Sequence, residues 1–290
     1  NWKNQYDFLS SEDECQWVVP GISCDEVGQV SELVLDDNGL DGPVPREIWR
    51  LRSLVSISLS KNMLSGALPS LGLERLTGLE EIDFRENQLV GTVPVEIYSM
   101  TSLQSLALAR NQLHGSIPGA VGRLTKLINF DIETNVLTGP IPDELYNLSQ
   151  LQRLRVGQNQ FLGTLPTEIG QLVALTDLGM FTNAFVGTLP SELGMLRRIV
   201  NFQLPDLALT GTIPTEFGNL GQVSKLALSY CELTGTVPTE FAKLTSLTKL
   251  YLQGNNLVGN ITFLCSAIGP LDPFRIDLQK AECACCTCCP

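Results

Sequence analysis

Hydrophobic and polar positions along the chain recur in one long pattern. The segment VSELVLDDNGLDGPVP at 30–45 returns as LVSISLSKNMLSGALP, LEEIDFRENQLVGTVP, LQSLALARNQLHGSIP and six further variants, ending at LTKLYLQGNNLVGNIT. One marker position, usually asparagine, falls at 38, 62, 87, 111, 135, 159, 183, 207, 231 and 255, a spacing of 24 with one step of 25. Each copy carries an LxL-type step of two apolar residues around a variable one, with leucine at both places in Leu33 and Leu35, Leu106 and Leu108, and Leu226 and Leu228. Period-two alternation predicts a short strand with both leucines inward and the residue between them outward. No single copy can bury such a face, whereas stacked copies form a continuous core. The marker asparagines are predicted to turn inward and satisfy backbone groups left unpaired where the chain bends.

The pattern LxxLxLxxNxLxGxIP resembles that of leucine-rich repeats, and its LxGxIP half the plant-type subclass, over residues 30–262. The resemblance implies an α/β solenoid: a curved superhelix of about ten 24-residue repeats with parallel strands on its concave face. Residues 1–29 and 263–290 would then be cysteine-containing caps. Cys15 and Cys24 flank Trp17 and Gly21-Ile22, which resembles the disulfide cap of plant extracellular repeats, with two extra residues between Trp17 and Gly21. The closing segment PLDPFRIDLQKAECACCTCCP is unlike the plant cap and resembles that of diatom leucine-rich-repeat receptor-like proteins.

Charge narrows the partners. A net charge of -12 disfavours nucleic acid and anionic lipid surfaces. No apolar run approaches the ~18 residues of a membrane span. The start at Asn1-Trp2-Lys3 is not a signal peptide, so a mature chain is expected, with any leader or anchor outside it.

Paired cysteines at both ends and sequons at Asn147 and Asn260 point to an extracellular, glycosylated protein. The cluster Cys265, Cys283, Cys285, Cys286, Cys288 and Cys289 has three readings. Disulfides sealing the last repeat are favoured over a thiolate metal site or redox chemistry. Cys231 occupies a marker position and is expected to be a buried free thiol.

Catalysis has no foothold in the sequence. His114, the single histidine, sits at a variable repeat position, and no GxSxG, P-loop or HExxH motif occurs. The expectation is a non-enzymatic protein with no cofactor and no metal.

Recognition is expected on the concave face, where outward residues form a grid of columns. The first five repeats are acidic there. From the sixth onward the columns carry Arg153, Arg155, Lys225 and Lys249 among the aromatics Phe181, Tyr230 and Tyr251, with small residues between. Exposed aromatics beside cations make a candidate ligand patch. Arg153 and Arg155 share a strand and a face, and an RxR pair there resembles the device with which some plant peptide-hormone receptors hold a peptide's free C-terminus. Cross-strand pairing of Arg155 with Asp131 and of Arg153 with Asp177 is the favoured competing account. The eighth repeat departs from the pattern at Pro205 and Leu207. Off the concave face Thr92, Thr164, Thr188, Thr212 and Thr236 form a file that turn and strand preference explains, although such files also suit ice.

These observations predict a receptor-like ectodomain binding a secreted peptide, glycan or protein, with a co-receptor as a further partner. A secreted inhibitor of a foreign wall-degrading enzyme is the first alternative. A structural, adhesion or ice-binding protein is the second. One chemical test follows directly. Alkylation of the native protein is expected to leave Cys231 and the terminal cluster unlabelled, and unfolding without reductant to expose Cys231 alone; several free thiols in the cluster would overturn its disulfide reading.

Overall fold

The computed structural model describes Cys15, residues 21–264 and residues 274–275. The terminal cysteine cluster and Trp17 lie outside these residues. The chain groups into two compact units, Asn1–Thr138 and Gly139–Pro290.

Within each unit the repeats stack as parallel strands in exact register. In the first unit Val30–Val34 is followed across the sheet by Ser56–Ser58, Glu81–Asp83, Ser105–Ala107 and Asn129–Asp131. In the second, Arg153–Arg155, Asp177–Gly179, Asn201–Gln203, Lys225–Ala227 and Lys249–Tyr251 pair in the same way. The strand Phe274–Arg275 then pairs with Lys249–Tyr251, so the sheet continues into the segment expected to be cap. The inward leucines behave as predicted: Leu33, Leu106, Leu178 and Leu226 are all buried.

Two features go beyond the sequence pattern. The LxG segments form second strands, such as Gln160–Thr164, Ala184–Thr188 and Ala208–Thr210, which pair parallel in a sheet of their own. The return segments of the solenoid are 3₁₀ turns. Arg46–Arg50, Asp143–Asn147 and Ser191–Met195 are examples, each entered through a proline. Only five residues lie between that proline and the leucine that turns the chain back, which suits one tight i→i+3 turn and no regular α-helix. Glycine lets successive turns approach closely. At Gly194 a Cβ would run into the Glu216 carbonyl, and at Gly170 it would lie 2.7 Å from the Glu192 carbonyl oxygen.

The marker asparagines do the work assigned to them. Asn62 Nδ2 donates to the carbonyls of Leu35 (2.8 Å), Leu59 (3.0 Å) and Ser60 (3.0 Å). Its Oδ1 accepts from the amides of Asn38 (3.0 Å) and Leu40 (2.9 Å). Asn87, Asn111, Asn135, Asn183 and Asn255 repeat parts of this set. The residue just before the marker holds a positive φ, 58° at Arg110 and 55° at Tyr230, which aims the next side chain inward.

Cys231 is a free, buried thiol, as expected. It substitutes for the amide, with Sγ 3.4 Å from the Leu204 carbonyl oxygen and the Leu207 and Leu209 amides bonded to it. Burial pushes its pKa up. Leu207 is also buried but has no oxygen to offer the Phe185 amide of the preceding repeat, the one step in the ladder without a polar marker.

At the first edge Cys15 and Cys24 form the expected disulfide. The strand Ile22–Cys24 runs antiparallel against Val30–Val34 and covers its open edge. Gly21, at φ 97°, is required there, because a Cβ would collide with the Val34 carbonyl that the tight pairing brings up.

Two substitutions test these constraints. Asn111→Leu takes the acceptor from the Leu89 amide and one of two asparagine donors from each of the Phe84 and Leu108 carbonyls, which keep Asn87 and Asn135, and is expected to cost about 2 kcal/mol in denaturant unfolding. Gly194→Ala forces adjacent turns apart and is expected to cost about 2 kcal/mol, whereas Gly221→Ala, with open space around it, should cost little.

Candidate functional site

Register decides what stands beside what. The pairings Arg153↔Asp177, Asn201↔Lys225 and Lys225↔Lys249 form one column of the second unit, and Arg155↔Gly179, Gln203↔Ala227 and Ala227↔Tyr251 form the next. These are the columns read from the repeat. Outward direction does not guarantee exposure, however. Ser58, Asp83, Ala107, Asp131 and Ala227 point away from the core yet are buried, because neighbours about 4.8 Å away on each side crowd them.

Acidic groups of the first unit are largely engaged within it. Asp36 accepts hydrogen bonds from the Ser58 hydroxyl (2.6 Å) and the Ser60 amide (2.7 Å). Asp83 is gripped by the fork of Arg85, with Nε 2.9 Å from Oδ1. The acidity there serves the strand face itself as well as solubility.

In the second unit Asp177 gathers both arginines. Arg155 Nη2 lies 2.7 Å from its Oδ2, and Arg153 Nε lies 3.6 Å from the same oxygen. Arg153 therefore meets the partner the sequence assigned it, and Arg155 reaches that partner too. Asp177 is buried, and its Oδ1 has no hydrogen-bond partner. Arg153 remains 49% exposed and Arg155 34%, so both guanidinium groups still present donors to solvent. A carboxylate clamp at this pair has to compete with the internal carboxylate.

The aromatic rings lie on glycines. A Cβ on Gly157 would be 2.7 Å from Phe181 Cε1, and one on Gly254 would be 2.5 Å from Tyr230 Cδ1. Each ring thus rests over bare backbone, and Tyr230 is 58% exposed. Lys225 Nζ donates to Gln203 Oε1 at 2.6 Å and stands 5.9 Å from the Tyr251 ring centroid, within cation–π range. Burial, then the charges of Lys249 and Arg155, lower the pKa of Lys225. Its neighbours on this face therefore form one electrostatic cluster. Gln203 and Gly254 were not singled out from sequence; only the register and the ring positions reveal them.

His114 is exposed on the strand Gln112–Gly115 of the first unit, as a surface repeat residue should be. Asn147 and Asn260 are both exposed, which any glycan there requires. Among the described residues no group of histidine, cysteine and carboxylate side chains is arranged to hold a metal ion. Among the same residues no helix is long and apolar enough to cross a membrane.

The cluster can be tested by titration. Lys225 is expected to titrate below the ordinary lysine range in an NMR pH series. Lys249→Gln removes one of the two opposing charges, so the Lys225 midpoint should rise in that variant while burial keeps it below the ordinary lysine range.

Comparison with known proteins places this geometry. No family model matches the chain. The leucine-rich repeat receptor-like serine/threonine-protein kinase RGI4 of Arabidopsis thaliana is 39% identical over 79 residues, 24% of this chain and 7% of that protein. The ectodomain of the Arabidopsis receptor kinase HAESA, solved with an N-terminally extended IDA peptide hormone ligand, superposes with a TM-score of 0.66 at 28% identity; the match covers 92% of this chain and 53% of that one. A plant ice-binding protein superposes with a TM-score of 0.75 at 25% identity, covering 87% of this chain and 81% of that one. The chain thus spans a small fraction of the curated kinase and about half of the receptor structure. In fold, the described repeats are leucine-rich repeats of the kind that build plant receptor ectodomains.

Proposed function

We propose that the chain is an extracellular ligand-recognition module of a receptor-like protein, binding a secreted peptide, glycan or protein on the strand face of its second unit. The observation that carries this reading is the cluster of Arg153, Arg155, Lys225, Lys249, Phe181, Tyr230 and Tyr251 on that face. In a chain of net charge -12, a local excess of cations beside the exposed Tyr230 ring stands apart from the surrounding surface. A co-receptor is a further partner in this reading. Similarity to a hormone-bound plant receptor ectodomain supports it. Disulfides in the terminal cysteine cluster and glycans at Asn147 and Asn260 belong to the same reading, as does the absence of catalysis.

A second reading has its own support. Thr164, Thr188, Thr212 and Thr236 are all exposed, and each Cγ2 methyl packs against the glycine of the next repeat, 2.9–3.1 Å from where a Cβ would sit. Four threonines in one rotameric arrangement form an ordered file, and a plant ice-binding protein shares the fold. Inhibition of ice recrystallisation, lost on Thr188→Lys, would establish this reading in place of the first.

A pull-down from native secreted extract decides the leading proposal, run with wild type beside Arg153→Ala/Arg155→Ala. A partner retained by wild type and lost at least tenfold by the double variant is the expected outcome. Equal retention by both would remove the site from this face.

A further inference from the structure

The cations and rings also specify a ligand chemistry. We propose that the strand face of the second unit is a subsite for an acidic oligosaccharide, a glycan bearing carboxylate or sulfate groups. This deepens the recognition reading and rests on it.

Ring geometry comes first. Phe181 lies over Gly157 and close to Gly179, and Tyr230 lies over Gly254, so both rings rest flat on backbone instead of standing as walls of a cleft. Side-chain recognition in peptides draws on concave pockets. A flat ring with its negative face outward suits the C–H face of a pyranose, which needs a platform. Phe181 and Tyr230 belong to repeats two steps apart, roughly 10 Å at the strand spacing, a distance that successive sugar rings of an extended chain bridge.

The charges agree. Arg153, Lys225 and Lys249 stand in one column, with Arg155 and Tyr251 in the next column toward Phe181 and Tyr230. Lys225 and Lys249 are direct neighbours across the sheet, and burial and then the charges of Lys249 and Arg155 lower the Lys225 pKa. Asp177 is the one acidic residue on these strands. An anionic group laid across Lys225 and Lys249 relieves that repulsion. Gln203 supplies a carboxamide beside Lys225 for sugar hydroxyls.

Calorimetric titration with oligogalacturonate, a sulfated galactan oligosaccharide and neutral cello-oligosaccharide tests the proposal. The two acidic probes distinguish carboxylate from sulfate as the preferred anion, and at least one is expected to bind with an affinity that falls as salt rises. The neutral probe should bind at least tenfold more weakly. Phe181→Ala and Tyr230→Asn are each expected to weaken the acidic ligand about tenfold. Gly157→Ala, which keeps every charge and ring but tips Phe181 off its bed, should weaken it as well. Lys249→Gln, which alters surface charge alone, and Lys225→Gln, which also loses the Gln203 and Tyr251 contacts, keep the test valid if a glycine variant unfolds.

Equal binding of neutral and acidic sugars would overturn the proposal. So would charge variants that lose affinity while the ring variants keep it, the signature of nonspecific polyanion attraction. If neither acidic sugar binds but the arginine-dependent pull-down retains a protein or peptide, the glycan proposal falls and the recognition reading stands. If both experiments are blank, both fall.

Discussion

Every repeat turns its chain sharply after the first strand, and that turn leaves amides and carbonyls facing the interior with no strand to pair them. The marker asparagine resolves this. One side chain supplies donors to three carbonyls and accepts from two amides of the preceding repeat, as Asn62 does. Each asparagine therefore bonds its own bend to the one before it, and stacking becomes a polar as well as an apolar requirement. Cys231 shows how little chemistry suffices, because a thiol keeps part of the bonding set. Leu207 shows that an apolar residue in the ladder is accommodated between Asn183 on one side and the Cys231 thiol on the other.

This internal regularity produces the outer surface. Because the bends repeat in register, residues at equal repeat positions form straight columns, and a substitution in one repeat acts on its neighbours across the sheet rather than along the chain. Glycine at 157 matters through Phe181 of the next repeat, and glycine at 254 through Tyr230 of the preceding one. Asp177 matters because two arginines from the adjacent strand reach it. The candidate site is assembled from residues about 24 apart in sequence, each placed by its own LxL step.

Electrostatics separates the two units' strand faces. In the first unit, Asp36 and Asp83 are held by hydroxyls, amides and the Arg85 fork, so that polar surface is largely self-satisfied. In the second, Arg153, Arg155, Lys225 and Lys249 share the strands with one carboxylate, Asp177. That imbalance, placed beside open rings, is what separates a recognition surface from a merely soluble one.

The repeat period, the inward leucines, the role of the asparagines and the free thiol at Cys231 were all legible in the sequence, because each depends on local alternation or on a position that recurs every turn of the coil; the first disulfide was legible from the resemblance of its short loop to the plant extracellular cap. The columns were legible for the same reason, and with them the gathering of Arg153, Arg155, Lys225 and Lys249. Tertiary structure alone decided three other things. The return segments became 3₁₀ turns with a second sheet beside them, since their path is set by packing against adjacent repeats and not by their own helical preference. Column residues such as Asp83 and Asp131 are buried despite pointing outward, since exposure depends on the size of neighbours across the sheet. The sharing of Asp177 between both arginines, and the seating of Phe181 and Tyr230 on glycines, follow from side-chain reach between strands, a quantity that no one-dimensional pattern contains.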